Sequence, residues 1–180
     1  MFRRQEPEET TSVEREIRLV PARIFTRAGW LIGKLHVAAE WRMINFINNV
    51  PDFFALADVV LEGRPKVVSL FTLHREAIIF IVVETEPEKE VDTATRNQIE
   101  RPVSFLLHNG VLHGTMSVLR GVRLSDHLSR QKGFVLLKDA HFKLRNPWEK
   151  HTIDHQEPVV LLNPDIVVGV AEWLEEQQSS

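Results

Sequence analysis

Three side chains in the last quarter of the chain have the types and spacing of a metal site. His151, Asp154 and His155 offer two imidazoles and a carboxylate, and two histidines four residues apart share one face of a helix. Pro147 and Pro158 bracket the stretch, however, and favour a loop. The sequence therefore gives a candidate metal site that requires a local helix, with a solvated loop as the alternative.

A second group has the residue types of a hydrolytic triad. Ser125, Asp126 and His127 are consecutive, and consecutive side chains cannot converge as nucleophile, base and orienting carboxylate. Ser125 or Asp126 is better placed to cap a helix by accepting a backbone N–H. No catalytic residue is predicted.

The densest basic cluster could bind phosphates. It consists of Arg120, Arg123, Arg130 and Lys132. The whole chain has a formal charge of -3 and a pI near 6.2, which disfavours a broad nucleic-acid surface because phosphate binding normally needs a basic face. A local patch for single-stranded RNA stays open.

Composition bounds the remaining chemistry. The 180 residues are 43% hydrophobic and 26% charged, as in a globular protein with a core, and contain no cysteine. Disulfides, thiolate nucleophiles and cysteine-based metal centres are excluded. The apolar runs are shorter than the ~18 residues that span a bilayer, so we expect a soluble cytoplasmic protein without a cofactor or membrane association.

The elements that carry these residues recur along the chain. Residues 21–61 align with residues 102–142 without a gap, and nine positions are identical, against roughly two or three expected from average residue usage. Beyond Leu61 a longer offset places Glu84 on Glu172, and the extra residues of the second copy fall in 143–157, which we interpret as a loop.

Each copy has the pattern strand, glycine turn, strand, short helix, then further strands. Asn109-Gly110 is a strong hairpin signal, and Gly33 and Gly114 inside the second strand indicate a bulge or a close backbone approach. Asp58 and Asp139 lie at matching places, either as hydrogen-bond acceptors in their own turns or as a paired carboxylate site. The pattern predicts a mainly β fold with short helices, a tandem repeat of two small barrel or half-barrel units packed as a pseudo-dimer.

The predicted organisation has five parts. Residues 1–14 are a disordered tail, 15–84 the first unit, 85–101 a polar linker, 102–174 the second unit and 175–180 a second tail.

The short helices differ between the copies. The first copy has Trp41, Ile44 and Phe46 where the second has a valine, a serine and a histidine. A helix that is apolar nearly all round needs cover on both faces, from the other unit, another subunit or a partner. Trp148 and Trp173 of the second copy are candidates for the covering surface, and a thicker core is the alternative.

The second unit resembles known small domains. Its hairpin Leu-Leu-His-Asn-Gly-Val-Leu-His-Gly and its later strand Phe-Val-Leu-Leu-Lys-Asp-Ala resemble the RNA-binding Sm-like barrel, although that pattern spaces its two glycines one residue further apart and lacks the helix at residues 123–128. Through Gly-x-x-x-Gly, Arg-Leu-Ser-Asp-x-Leu and Phe-Val-x-Leu-x-Asp-Ala, the unit is similar to small bacterial domains of unknown function. This second resemblance implies no activity.

Three functions follow as hypotheses. The first is a non-enzymatic interaction or scaffold protein that uses the apolar helix surface and binds itself, as a homodimer, or another protein. The second is an Sm-like binder of single-stranded RNA through the basic cluster. The third is a small-molecule sensor or enzyme with its site in the cleft between the units.

Overall fold

The computed structural model describes residues 16–49, 52–84, 97–146 and 152–172. We call residues 16–84 the first half and residues 97–172 the second half. Trp148, His151, Trp173 and both predicted tails lie outside the described residues, so the predictions on them are not addressed by the structure.

The first half contains five strands, a two-turn helix and a short 3-10 helix before the last strand. The elements are β1 (Ile17–Thr26), β2 (Gly29–Ala38), α1 (Met43–Asn49), β3 (Phe53–Leu61), β4 (Val67–His74), a 3-10 turn (Arg75–Ala77) and β5 (Ile78–Val83).

The second half contains the same kinds of element in the same order. They are β6 (Gln98–Leu107), β7 (Gly110–Leu119), α2 (Leu124–Arg130), β8 (Val135–Arg145), β9 (Thr152–Leu162), a 3-10 turn (Pro164–Ile166) and β10 (Gly169–Glu172).

All the strand pairs are antiparallel, and the strands form one ten-stranded sheet in the order β10-β6-β7-β8-β9-β5-β1-β2-β3-β4. The predicted mainly β fold with short helices is confirmed. The predicted small barrels are not formed: the described strands make one continuous, open sheet, and the halves are joined by the pairing of β5 with β9. Neither helix in the described part of the chain is long and apolar enough to cross a membrane.

A bulge interrupts the sheet at the same place in each half. The register between β2 and β3 shifts between Ile32 and Lys34, and that between β7 and β8 shifts between His113 and Thr115. Asp58 and Asp139 occupy the bulged strands with φ of 51° and 47°, in the left-handed region that aspartate tolerates better than most residues. The bulge predicted from the two glycines is confirmed.

The two central strands have both faces buried. On β5, Ile78, Ile81 and Val83 belong to the core of the first half, whereas Ile79, Phe80 and Val82 belong to the core of the second. The end of β9 alternates in the same way. This explains the uninterrupted apolar runs at these strands, since a strand covered on both sides has no polar face. The cores therefore share their boundary strands.

Two predicted boundaries are wrong. Strand β6 begins at Gln98, inside the expected linker 85–101. The expected loop 143–157 is instead mostly strand, because β8 continues to Arg145 and β9 begins at Thr152. Val83 lies opposite Ala22, and Glu172 lies opposite Val103, the residue of the second half that matches Ala22. The residue that matches Glu172 is therefore Val83, not Glu84.

Candidate functional site: the outer face of the first half

The first half exposes large apolar side chains on the side of the sheet that faces away from its core. Ile32 pairs with Val60, and Val60 pairs with Val67, so these three residues form a row across β2, β3 and β4. Ile32 is 49% exposed and Val67 61%. The row is therefore an apolar strip open to solvent.

Further exposed residues extend the strip over the whole half. We call the resulting surface the apolar face, and its most exposed members are Ile17, Leu19, Ile32, Phe53, Val67 and Leu70. The alternation of the strands positions it: in β1, Leu19 is exposed while its neighbour Val20 is buried in the core. Because of the bulge at Asp58, Lys34 lies opposite Ala57 and Ile32 lies opposite Val60. Ala57 and Val60 are three residues apart in the sequence, yet both are on the outer side of the sheet with Lys34 and Ile32.

In the second half, the positions that match the row of Ile32, Val60 and Val67 carry polar residues. The row that corresponds to Ile32, Val60 and Val67 consists of His113, His141 and Gln156, each opposite the next on β7, β8 and β9. Ser104 pairs with His113 at the end of this row. An apolar outer face is thus not a requirement of the fold.

The polar row has the residue types of a hydrolytic site but a different connectivity. Ser104 Oγ and His113 Nδ1 are hydrogen-bonded at 2.6 Å, whereas Asp154 Oδ1 lies 2.6 Å from Nε2 of the other histidine, His141. The two imidazole centroids are 6.1 Å apart. In a triad, one imidazole contacts both the serine and the carboxylate. We therefore assign no nucleophile here.

Burial and the contacts within the row shift the pKa values of two of its side chains. Burial, and then the charge of His141, lower the pKa of His113, so the Ser104 partner is a neutral imidazole near pH 7. The hydrogen bond from His141 holds the pKa of Asp154 below its usual range.

A cleft of about 320 Å³ lies where the halves meet. The β1–β2 turn provides Arg27, the end of β8 provides Arg145, and the apolar lining comes from Ile79, Leu107 and Ile166. Thr26, His108 and Asn109 complete the wall. Arg27 and Arg145 bring two positive charges to a mostly apolar cleft, and such a combination suits an anion with an apolar body.

The helix residues predicted for interaction lie partly inside their own chain. Trp41, Ile44 and Phe46 are half-buried and pack against the core of the first half. The helix also contacts the second half, since Asn48 accepts from the backbone N–H of Phe134 at 2.7 Å and donates to its carbonyl at 3.2 Å. Much of the expected cover for the helix thus comes from this chain.

The predicted basic cluster lies around α2. Arg123 precedes the helix and Arg130 ends it, with Arg120 and Lys132 just outside, and all four side chains are exposed. They remain available to an anionic partner.

The local helix that the candidate metal site requires is not present at Asp154 and His155, and His151 lies outside the described residues. Asp154 and His155 are neighbours on strand β9, not members of a helix, and neighbouring strand residues point to opposite faces. Asp154 faces His141, whereas His155 Nε2 lies 2.8 Å from Glu157. Among the described residues, no three histidine, aspartate or glutamate side chains are grouped to hold a metal ion.

Sequence reasoning missed the apolar face and an ion-pair network between the halves. In that network Arg23 of β1 pairs with Glu84 at 2.6 Å and with the buried Glu157 of β9. A signal for the apolar face was present in the aligned copies, where Ile32 and Val60 match His113 and His141.

Comparisons with protein-family models, with curated proteins and with solved structures find no match to this chain.

Proposed function

We propose that this chain is a non-enzymatic interaction or scaffold protein that binds another protein through the apolar face of its first half. The carrying observation is the set of exposed apolar residues defined above, which lie on one side of β1 to β4 with Arg23 and Lys34 among them. Monomeric proteins rarely expose large contiguous apolar patches, and patches of this kind mark interaction sites.

The second half supports the proposal as an internal comparison. It builds the same bulged strands with His113, His141 and Gln156 on the matching surface. Folding alone therefore does not account for apolar side chains at Ile32 and Val67. Binding of an apolar partner surface does, because it removes these side chains from water.

We also propose that the halves are copies of one duplicated unit. The support is the repeated order of elements, the bulge at matching positions and the left-handed Asp58 and Asp139. On this proposal the apolar face and the polar row are two versions of one surface that have diverged.

The first test places a photoreactive amino acid at Leu19 of the full chain in its native cells, with Glu100, the matching position in the second half, as the control. We expect discrete adducts with another protein from position 19. Adding Ile32→Lys should reduce them, since loss of a central apolar contact costs ~2 kcal/mol, roughly thirtyfold in affinity. The matched control for the lysine is His113→Lys, which should leave the adducts unchanged.

Two outcomes would contradict the proposal. One is an equal adduct pattern from positions 19 and 100, and the other is an adduct from position 19 that Ile32→Lys does not weaken. Both lysine variants replace exposed or half-buried surface residues, so their midpoints of urea unfolding should stay close to that of the wild type.

A second candidate function rests on the cleft between the halves. We propose that it binds a small anion with an apolar body, held by Arg27 and Arg145 over Ile79, Leu107 and Ile166. The Sm-like RNA hypothesis remains a prediction that rests on exposed charge alone.

Thermal unfolding with octanoate, and with octanol as the uncharged analogue, tests the cleft. At ten times its Kd a ligand adds about 1.4 kcal/mol to the stability, so octanoate should raise the Tm of the wild type. The shift should vanish in Arg27→Gln/Arg145→Gln and persist in Arg120→Gln/Arg130→Gln, which removes the same charge elsewhere. An equal shift with octanol, or one that survives the first variant, counts against an anion site.

A further inference from the structure

The sheet ends in two strands that have no partner on their outer sides among the described strands. One is β4, next to β3, and the other is β10, next to β6. Strand β4 (VVSLFTLH) contains no proline and no acidic or lysine or arginine residue, and Val67 and Leu70 are more than 60% exposed. Natural proteins usually protect such an edge with charges, proline or a bulge. An unprotected apolar edge favours pairing with another strand.

The joint between the halves shows how such an edge is filled in this protein. Strand β9 pairs antiparallel with β5, and Phe80, Ile81 and Val82 lie opposite Leu162, Leu161 and Val160. The backbone N–H of Asn163 donates to the Ile79 carbonyl at 3.0 Å, and its side-chain amide donates to the Ile78 carbonyl at 3.0 Å.

The joint links two particular positions in the strand order. Within the first half the order is β5-β1-β2-β3-β4, and within the second half it is β10-β6-β7-β8-β9. Counted along the chain, β9 is the fourth strand of the second half and β5 is the fifth strand of the first half. The joint therefore connects a fourth strand with a fifth strand. The two free edges, β4 and β10, are again a fourth strand and a fifth strand.

The register can be transferred residue by residue. Leu73 of β4 lies opposite Phe54, and Leu162 of β9 lies opposite Val135, the residue that matches Phe54. Leu73 therefore corresponds to Leu162. Val170 of β10 corresponds to Ile81 of β5 in the same way, opposite Phe105 and Ile24.

We propose that β4 of one copy of this chain pairs antiparallel with β10 of a second copy, in the register of the β9–β5 joint. Leu73 then lies opposite Gly169, Thr72 opposite Val170, and Phe71 opposite Ala171. The contact is head-to-tail, so an open assembly keeps one free β4 edge at one end and one free β10 edge at the other, and copies add until a ring closes or a filament grows.

The strength of this contact follows from its residues. Strand β5 contributes six buried apolar residues to the internal joint, whereas β10 has the sequence GVAE. The joint between copies buries less apolar surface, so we expect a reversible, concentration-dependent assembly. It pairs the backbones of two strand edges, and although Val67 and Leu70 of β4 also belong to the apolar face, it does not rest on the proposed function.

The first experiment is light scattering of the full chain over a wide concentration range. The expected result is a mass that rises with concentration through multiples of 20.8 kDa. A monomer at every concentration would show that the edges are closed in another way, including by other segments of this chain, and would overturn the proposal.

Disulfide trapping tests the register, since the natural chain has no cysteine. Thr72→Cys/Val170→Cys and Phe71→Cys/Ala171→Cys place thiols in two successive opposite pairs, of which one is the close pair that suits a disulfide. Oxidation should give a ladder of linked copies from at least one of them. Thr72 is exposed and Val170 is 37% exposed, so the first variant tests the register even if replacing the half-buried Phe71 prevents folding.

The matched control is Thr72→Cys/Glu172→Cys, which moves one thiol two residues along β10. It should form far fewer linked copies, and the single-cysteine variants should not form chains longer than dimers. Equal ladders from the aligned and the displaced variants would contradict the register. Ile32→Lys, which removes a central residue of the apolar face, should leave the aligned ladder intact, so this proposal and the proposed function fail separately.

Discussion

Phe80→Ala is expected to lower the free energy of unfolding by about 4 kcal/mol. Phe80 is fully buried on β5 and lies at the centre of an aromatic group. Its ring centroid is 5.3 Å from that of Phe25, 5.7 Å from Trp30 and 5.0 Å from Phe142. Removing the ring leaves a cavity at the junction of the halves, bordered by aromatic rings that cannot collapse into it without leaving their own contacts.

Urea unfolding followed by circular dichroism measures this loss. The matched control is Phe53→Ala, the same substitution at a side chain that is 58% exposed, which should cost about 1 kcal/mol or less. Equal losses at the two positions would show that Phe80 does not occupy a closed core.

Gly110→Ala is expected to cost about 3 kcal/mol through backbone strain and overpacking. Gly110 has φ of 153°, and a Cβ added there would lie 2.0 Å from the Lys143 carbonyl oxygen and 2.9 Å from Leu144 Cα. These are backbone atoms of the neighbouring strand β8, which cannot retreat without disrupting the β7–β8 pairing. The same unfolding measurement tests this expectation.

Two further glycines separate the contributions. Gly121 has φ of 78° with open space around it, so Gly121→Ala should cost only the conformational strain, about 1 kcal/mol. Gly169 has open space and no positive φ, and Gly169→Ala should be neutral. If Gly110→Ala cost no more than Gly121→Ala, the close approach of β8 to β7 would be wrong.

The elements with local signals were predictable. Asn109-Gly110 marks the β6–β7 hairpin because both residues tolerate positive φ, and the structure turns there, with Leu107 opposite Gly110 and the positive φ at Gly110. The change from strand to helical periodicity placed α1 and α2 correctly. Each of these signals is complete within a few residues of sequence.

The beginning of strand β9 was missed because its support is not local. Its first half, Thr152 to Glu157, is polar and precedes a proline, which is typical of a loop. In the structure Asp154 is opposite Lys143 on β8 and also contacts His141, and Pro158 falls at the bulge made by Asp139. Only the pairing with β8 makes this segment a strand.

The candidate site was only half predictable. The apolar residues around Trp41 were expected to need a partner, yet the chain covers much of that helix itself. The apolar face was hidden because the bulge at Asp58 breaks the alternation that separates inward from outward residues, so Ala57 and Val60 share a side. Without the register, their exposure could not be deduced.

The central strands also determine how the protein loses its structure. Because β5 supplies alternate side chains to both cores, detaching it exposes apolar surface in each half at once. Partial unfolding of one half is then nearly as unfavourable as global unfolding, and the chain behaves as one cooperative unit. We therefore expect the amide protons of Ile81 and Val82 to exchange with solvent only when the whole molecule opens.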